Sequence, residues 1–128
     1  MKLWSVLTLT AGLLCFGATA FAQNLQMQVV DRDCWIEIYD DDKYDMNSSH
    51  IKLEGEQALA SLKNVAGRDW NNDIESLIVG PNANVKAYSK KDFQGTEIAF
   101  VPDQKVPDLA KVNMGNDIES MKVTCGKK

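Results

Sequence analysis

The pentapeptide Asn-Asp-Ile-Glu-Ser occurs twice in this chain, as Asn72-Asp73-Ile74-Glu75-Ser76 and again as Asn116-Asp117-Ile118-Glu119-Ser120. Each copy runs straight into an apolar, β-prone stretch, Leu77-Ile78-Val79 in the first case and Met121-Lys122-Val123 in the second. Each is also preceded by two aromatic residues five apart, Tyr39 and Tyr44, then Tyr88 and Phe93. The copies lie 44 residues apart, a spacing that marks two copies of one supersecondary unit, neither able to bury its apolar face alone. The repeated residues are acids and amides, which are oxygen donors. The duplication therefore predicts a β-motif carrying paired sites for a hard cation.

Outward from the pentapeptides, the chain reads as short strands separated by turns. Cys34 to Tyr39 alternates apolar and polar residues and is rich in aromatic and β-branched side chains, so it is predicted as a strand. Asp40-Asp41-Asp42-Lys43 makes a turn, Tyr44 begins the return, and His50 to Leu53 is the second predicted strand. Gln57 to Val65 places Leu59, Leu62 and Val65 three residues apart, which predicts a turn or two of surface helix ended by Gly67. Ile74 to Val79 is a strand closed by Gly80-Pro81-Asn82. The second half repeats this order. Asn84 to Tyr88 is a strand, Ser89 to Asp92 a turn, and Thr96 to Val101 a strand after Gly95. A two-proline connection follows, in which Val106, Leu109 and Val112 recur every third residue, and Ile118 to Thr124 is the last strand. Many short strands at regular spacing predict an all-β sandwich. The longer stretch before each pentapeptide suits the return connection of a Greek key.

The segment Tyr88-Ser89-Lys90-Lys91-Asp92-Phe93-Gln94-Gly95 resembles the aromatic, four residues, aromatic, one residue, glycine hairpin of βγ-crystallin Greek keys. The glycine has a physical role, because a tightly folded hairpin needs a residue tolerant of positive φ. In the first half Tyr39 and Tyr44 fit, whereas Met46 stands at the glycine position; Asn47 beside it is the residue suited to a left-handed conformation. Each key of that family closes on two Asn/Asp residues, two variable residues, Ser/Thr, then Ser. Asn71 to Ser76 and Gly115 to Ser120 resemble this hexapeptide, with Glu at the fifth position in both and Gly at the first position of the second. The resemblance spans about Cys34 to Val123. It implies a β-sandwich of two Greek keys, about 34–80 and about 84–125, within a domain of 34–125.

The same resemblance implies up to two calcium ions between the keys. Backbone carbonyls would come from the hairpin arches around Asp41 and Lys90 and from the second hexapeptide position, Asn72 and Asn116. Side-chain oxygens would come from the third position, Asp73 and Asp117, and the fifth, Glu75 and Glu119. Calcium takes six to eight hard oxygens in flexible geometry, and this is that kind of set. The two sites are expected to differ, since Asn71 can brace its loop through its side chain whereas Gly115 has none.

Of the 128 residues, Met1 to Ala22 carry one charge, Lys2, then an apolar run, then Ala20-Phe21-Ala22. That is the pattern of a cleaved secretory signal, too short and too glycine-interrupted for a bilayer span. Residues 23–33 form an N-terminal extension and 126–128 a tail. Removing Lys2 takes the net charge from −4 to −5. A mildly acidic chain without basic clusters argues against nucleic acid and anionic membranes. Cys34 and Cys125 remain after cleavage, and an even pair in an exported chain predicts a disulfide; two free thiols are the alternative.

Other chemistries fail on inspection. Asp40-Asp41-Asp42 starts like an EF-hand loop, but Tyr44 and Asp45 occupy the fifth and sixth positions, where an oxygen donor and a glycine belong. His50, the single histidine, has no nucleophile pattern near it, and no phosphate loop or metal-hydrolase helix is present. Trp35 and Trp70 read as core or corner residues rather than a sugar-stacking platform. The expectation is a secreted or periplasmic, non-enzymatic domain that calcium stabilises. The alternative is an interaction or inhibitor module on the same fold, with degenerate calcium sites and an extracellular protein as partner.

Overall fold

The computed structural model describes residues 31–126. The expected leader, most of the expected N-terminal extension and the end of the tail lie outside the described residues. Eight strands follow in chain order: β1 Trp35–Tyr39, β2 His50–Glu54, β3 Gln57–Leu59, β4 Ser76–Val79, β5 Ala83–Lys90, β6 Gln94–Phe100, β7 Lys105–Val106 and β8 Ser120–Cys125. One turn of 3-10 helix, Leu109–Val112, precedes the last strand.

The strands form two four-stranded antiparallel sheets, ordered β2-β1-β4-β7 and β3-β8-β5-β6. Each sheet takes three strands from one half of the chain and one from the other, because β3 crosses to pair with β8 and β7 crosses to pair with β4. This exchange is the Greek-key signature. The core lies between the sheets and follows the period-2 pattern of the strands. Ile36 and Ile38 of β1, Leu77 and Val79 of β4, Ala83, Val85 and Ala87 of β5, and Met121 and Val123 of β8 are all buried. Trp70 is core, 2% exposed, whereas Trp35 is half-buried at the start of β1.

Gln57 to Val65 departs from its predicted helix. Residues 57–59 are strand β3, Leu62 is buried in the connection, and Val65 pairs with Arg68 across a tight turn. The apolar spacing of three served three separate burials, and a helix there would remove β3 from the second sheet. In the other half the same spacing does contain a helical turn. Asp108 caps it, its side chain accepting from the Ala110 N–H at 3.0 Å.

Cys34 and Cys125 are joined, with Cα atoms 5.5 Å apart, inside the range a disulfide needs. The bond ties the residue before β1 to the end of β8.

Candidate metal centre

Each pentapeptide ends in a buried serine that clips a hairpin arch. Ser76 and Ser120 are 0% exposed. The Ser76 hydroxyl donates to the Asp41 carbonyl at 2.6 Å and accepts from the Tyr44 N–H at 3.1 Å. The Ser120 hydroxyl donates to the Lys90 carbonyl at 2.6 Å and accepts from the Phe93 N–H at 3.0 Å. The clip fixes an arch that is unfavourable on its own: Lys43 and Tyr44 both have φ 56°, and Asp92 and Phe93 have φ 59° and 60°. The aromatic pairs close edge to face over it, Tyr39 on Tyr44 at 5.9 Å and Tyr88 on Phe93 at 5.6 Å between ring centroids. Burial raises the pKa of all three phenols.

Each serine thus fixes a backbone carbonyl, of Asp41 or of Lys90, and is itself preceded in the chain by a glutamate. Glu75 donates its N–H to the Tyr39 carbonyl and Glu119 its N–H to the Tyr88 carbonyl, both at 2.9 Å. Around Glu75 the field is acidic. Its carboxyl is pushed up from its ordinary value by desolvation first, then by Asp41, Asp42, Asp108 and Asp40. Around the second arch two lysines, Lys90 and Lys91, take the place of aspartates.

The two hexapeptides also reach across to each other. The Asn72 N–H donates to the Ile118 carbonyl at 3.0 Å, and its side-chain amide donates to Glu119 Oε2 at 3.2 Å. The second position of the first hexapeptide thus meets the fifth position of the second, next to the Lys90 arch. Asn72 has φ 61° and Asn116 φ 55°, so both take the left-handed conformation that asparagine tolerates.

The third positions differ. Asp117 is exposed, its backbone N–H held by the Met114 carbonyl at 3.2 Å. Asp73 is drawn to Arg68, whose Nη2 lies 2.9 Å from Asp40 Oδ2 and 3.5 Å from Asp73 Oδ2. The guanidinium lies over the Trp70 ring at 4.0 Å. In the sequence the only signal of Arg68 is a lone cation shortly before the first hexapeptide.

Three further expectations are corrected. The brace of the first hexapeptide is the Asp69 carboxylate, which accepts from the Asn71 N–H at 2.9 Å, rather than the Asn71 side chain. Gly115 is a packing position rather than a mobile one, since a Cβ there would sit 2.9 Å from Ala110 Cα. Asn47 is not left-handed either. The first arch closes instead on Asp45, whose side chain accepts from the Asn47 N–H at 2.9 Å and whose carbonyl accepts from Ser48.

Among the described residues no three His, Cys, Asp or Glu side chains converge as a metal cluster. Side chains alone do not build a centre here; backbone carbonyls have to contribute. The donor set is oxygen throughout, because both described cysteines are spent in the disulfide. Carbonyls at Asp41 and Lys90, each with a lone pair beyond the serine bond, and carboxylates at Glu75 and Glu119 fit a hard cation such as calcium better than a thiophilic metal.

The Beta/Gamma crystallin family model matches residues 32–122. The chain belongs to the βγ-crystallin family. Solved βγ-crystallin structures agree with it. A domain described under the evolution of the eye-lens βγ-crystallin fold is 22% identical, covers 80% of this chain and 96% of its own, and superposes with a TM-score of 0.64. A βγ-crystallin domain from Clostridium beijerinckii is 23% identical, with coverage of 70% and 95% and a TM-score of 0.56. One from Flavobacterium johnsoniae is 21% identical, with coverage of 73% and 97% and the same TM-score of 0.56. At these identities the likeness is one of fold. No protein of curated function matches the chain significantly. The βγ-crystallin fold makes this a structural domain, and its disulfide and two interlocked keys suit that role.

Proposed function

We propose that this βγ-crystallin domain is exported and binds up to two calcium ions between its keys, using them to stabilise the fold without catalysing a reaction. One observation carries the reading. In both keys a buried serine that follows a glutamate holds an arch carbonyl, Ser76 that of Asp41 and Ser120 that of Lys90. A backbone oxygen is thereby fixed in each arch, with Glu75 or Glu119 as the neighbour of the clipping serine in the chain. The acidic surroundings of Glu75 favour a cation there, and the lysines of the second arch oppose one, so the first site is the tighter. Export is supported by the leader pattern of residues 1–22 and by the Cys34–Cys125 bond.

Isothermal calorimetry with calcium on the chelator-stripped mature chain tests this. The expected result is two unequal sites with Kd between about 10⁻⁶ and 10⁻³ M. At a hundredfold excess over Kd a folded-state ligand adds about 2.7 kcal/mol, a Tm rise on the order of 10 °C. No heat together with an unchanged melting curve in millimolar calcium would overturn the reading and favour the interaction or inhibitor module. Export is checked separately by the mass of the protein recovered outside the cytoplasm, which should lack the first 22 residues.

A further inference from the structure

We infer that Arg68 is a tethered counter-cation that competes with calcium for Asp73. The inference rests on the calcium reading above and adds a control element to it. Arg68 reaches two carboxylates with one nitrogen, Nη2, at 2.9 Å from Asp40 and 3.5 Å from Asp73. Its other terminal nitrogen, Nη1, is buried and has no hydrogen-bond partner among the described residues. A guanidinium satisfies a carboxylate best as a two-pronged fork, so the shared, single-nitrogen arrangement is an incomplete one. The Trp70 face, 4.0 Å away, keeps the guanidinium in place whichever carboxylate it holds.

Two states follow from this geometry. Without metal, Arg68 spans Asp40 and Asp73 and neutralises part of the acidic field. With calcium on Asp73, Arg68 closes on Asp40 alone and Nη1 gains the partner it lacks. The arginine thus stabilises the empty site and raises the calcium concentration needed to fill it. Among the described residues no cation pairs with Asp117, whose N–H is held by Met114 where that of Asp73 is held by Trp70.

Calcium calorimetry on the mature wild type, R68M, D73A and the R68M/D73A double variant tests this. R68M should bind one ion about two- to five-fold tighter, the scale of an exposed ion pair. That gain should disappear in the D73A background, because the competition runs through Asp73. Unchanged or weaker binding by R68M overturns the inference. So does an equal gain in D73A, which makes Arg68 a general charge effect. A measurement on the wild type guards against a variant that fails to fold. The Arg68 guanidinium resonances should shift along the calcium titration, and resonances indifferent to calcium while heat is released overturn the competition alone. Absence of heat from the wild type sinks the calcium reading with it.

Discussion

Replacing Glu75 by Gln should raise the Tm of the calcium-free domain by about 2–4 °C, corresponding to roughly half a kcal/mol of relieved, solvent-screened repulsion. The carboxyl is desolvated and faces Asp41, Asp42, Asp108 and Asp40. Its folded pKa lies above its ordinary value of 4.5, so the penalty is absent below that pH and grows as pH rises through the folded value. Wild type should therefore lose more stability than E75Q between pH 4.5 and neutrality, as thermal melts in chelator would show. In calcium the order reverses, because the variant lacks a ligand and its calcium-induced rise shrinks. A variant that melts at the wild-type temperature at every pH would mean that Glu75 is fully solvated. The glutamates and their neighbours could be found in the sequence from the repeated pentapeptide. The role of its final serine could not, because a clip between Ser120 and Lys90 joins positions 30 residues apart and is set by the hairpin's fold-over.

At the scale of elements, the two arches share geometry but not sequence. Gly95 has φ 82°, and a Cβ there would run into the Ser89 hydroxyl and Lys90. G95A should lose about 1–2 kcal/mol, from the left-handed backbone and the crowding together, read as a lower urea midpoint at unchanged slope. Gly at Met46 should bring no gain, since that arch closes through Asp45 and Ser48 rather than by a left-handed residue at its end. A stabilised M46G would show that the first arch wants glycine after all. The strands were legible because alternation is local: β1, β2, β5 and β8 lie within two residues of their predicted bounds. The stretch 57–65 was misread because its apolar spacing of three fits a helix locally. Only the pairing of Gln57 with Val123 and Leu59 with Met121, distant in sequence, makes it a strand.

Across the whole molecule the halves depend on each other. The Lys43 N–H donates to the Pro107 carbonyl at 2.8 Å, and the Asp92 N–H to the Ala60 carbonyl at 2.7 Å. Each arch therefore leans on the other half's connection, just as β3 and β7 sit in the other half's sheet. This interlocking also brings residues of both hexapeptides to one seam, as with Asn72 and Glu119, a juxtaposition that needs the intact pair. The disulfide spans a sequence separation of 91 and constrains the unfolded chain by up to about 4–5 kcal/mol on the entropy model. Reduction should lower the Tm markedly, and a melt insensitive to reductant would mean that the reduced, unfolded chain retains structure of its own.

That same bond decides how the domain bears load. It lies across the two ends of the fold, with Cα atoms 5.5 Å apart, so tension applied through the flanking segments passes from one cysteine to the other and bypasses both sheets. In a single-molecule pulling experiment the oxidised domain should transmit force as a rigid link, with no rupture step. Once reduced, it should give way in shear or peeling and release the 91-residue separation, roughly 300 Å of slack at full extension. A rupture step in the oxidised form would place the load path through the strands instead. Built this way, the sandwich is sheltered from strain that passes between Cys34 and Cys125.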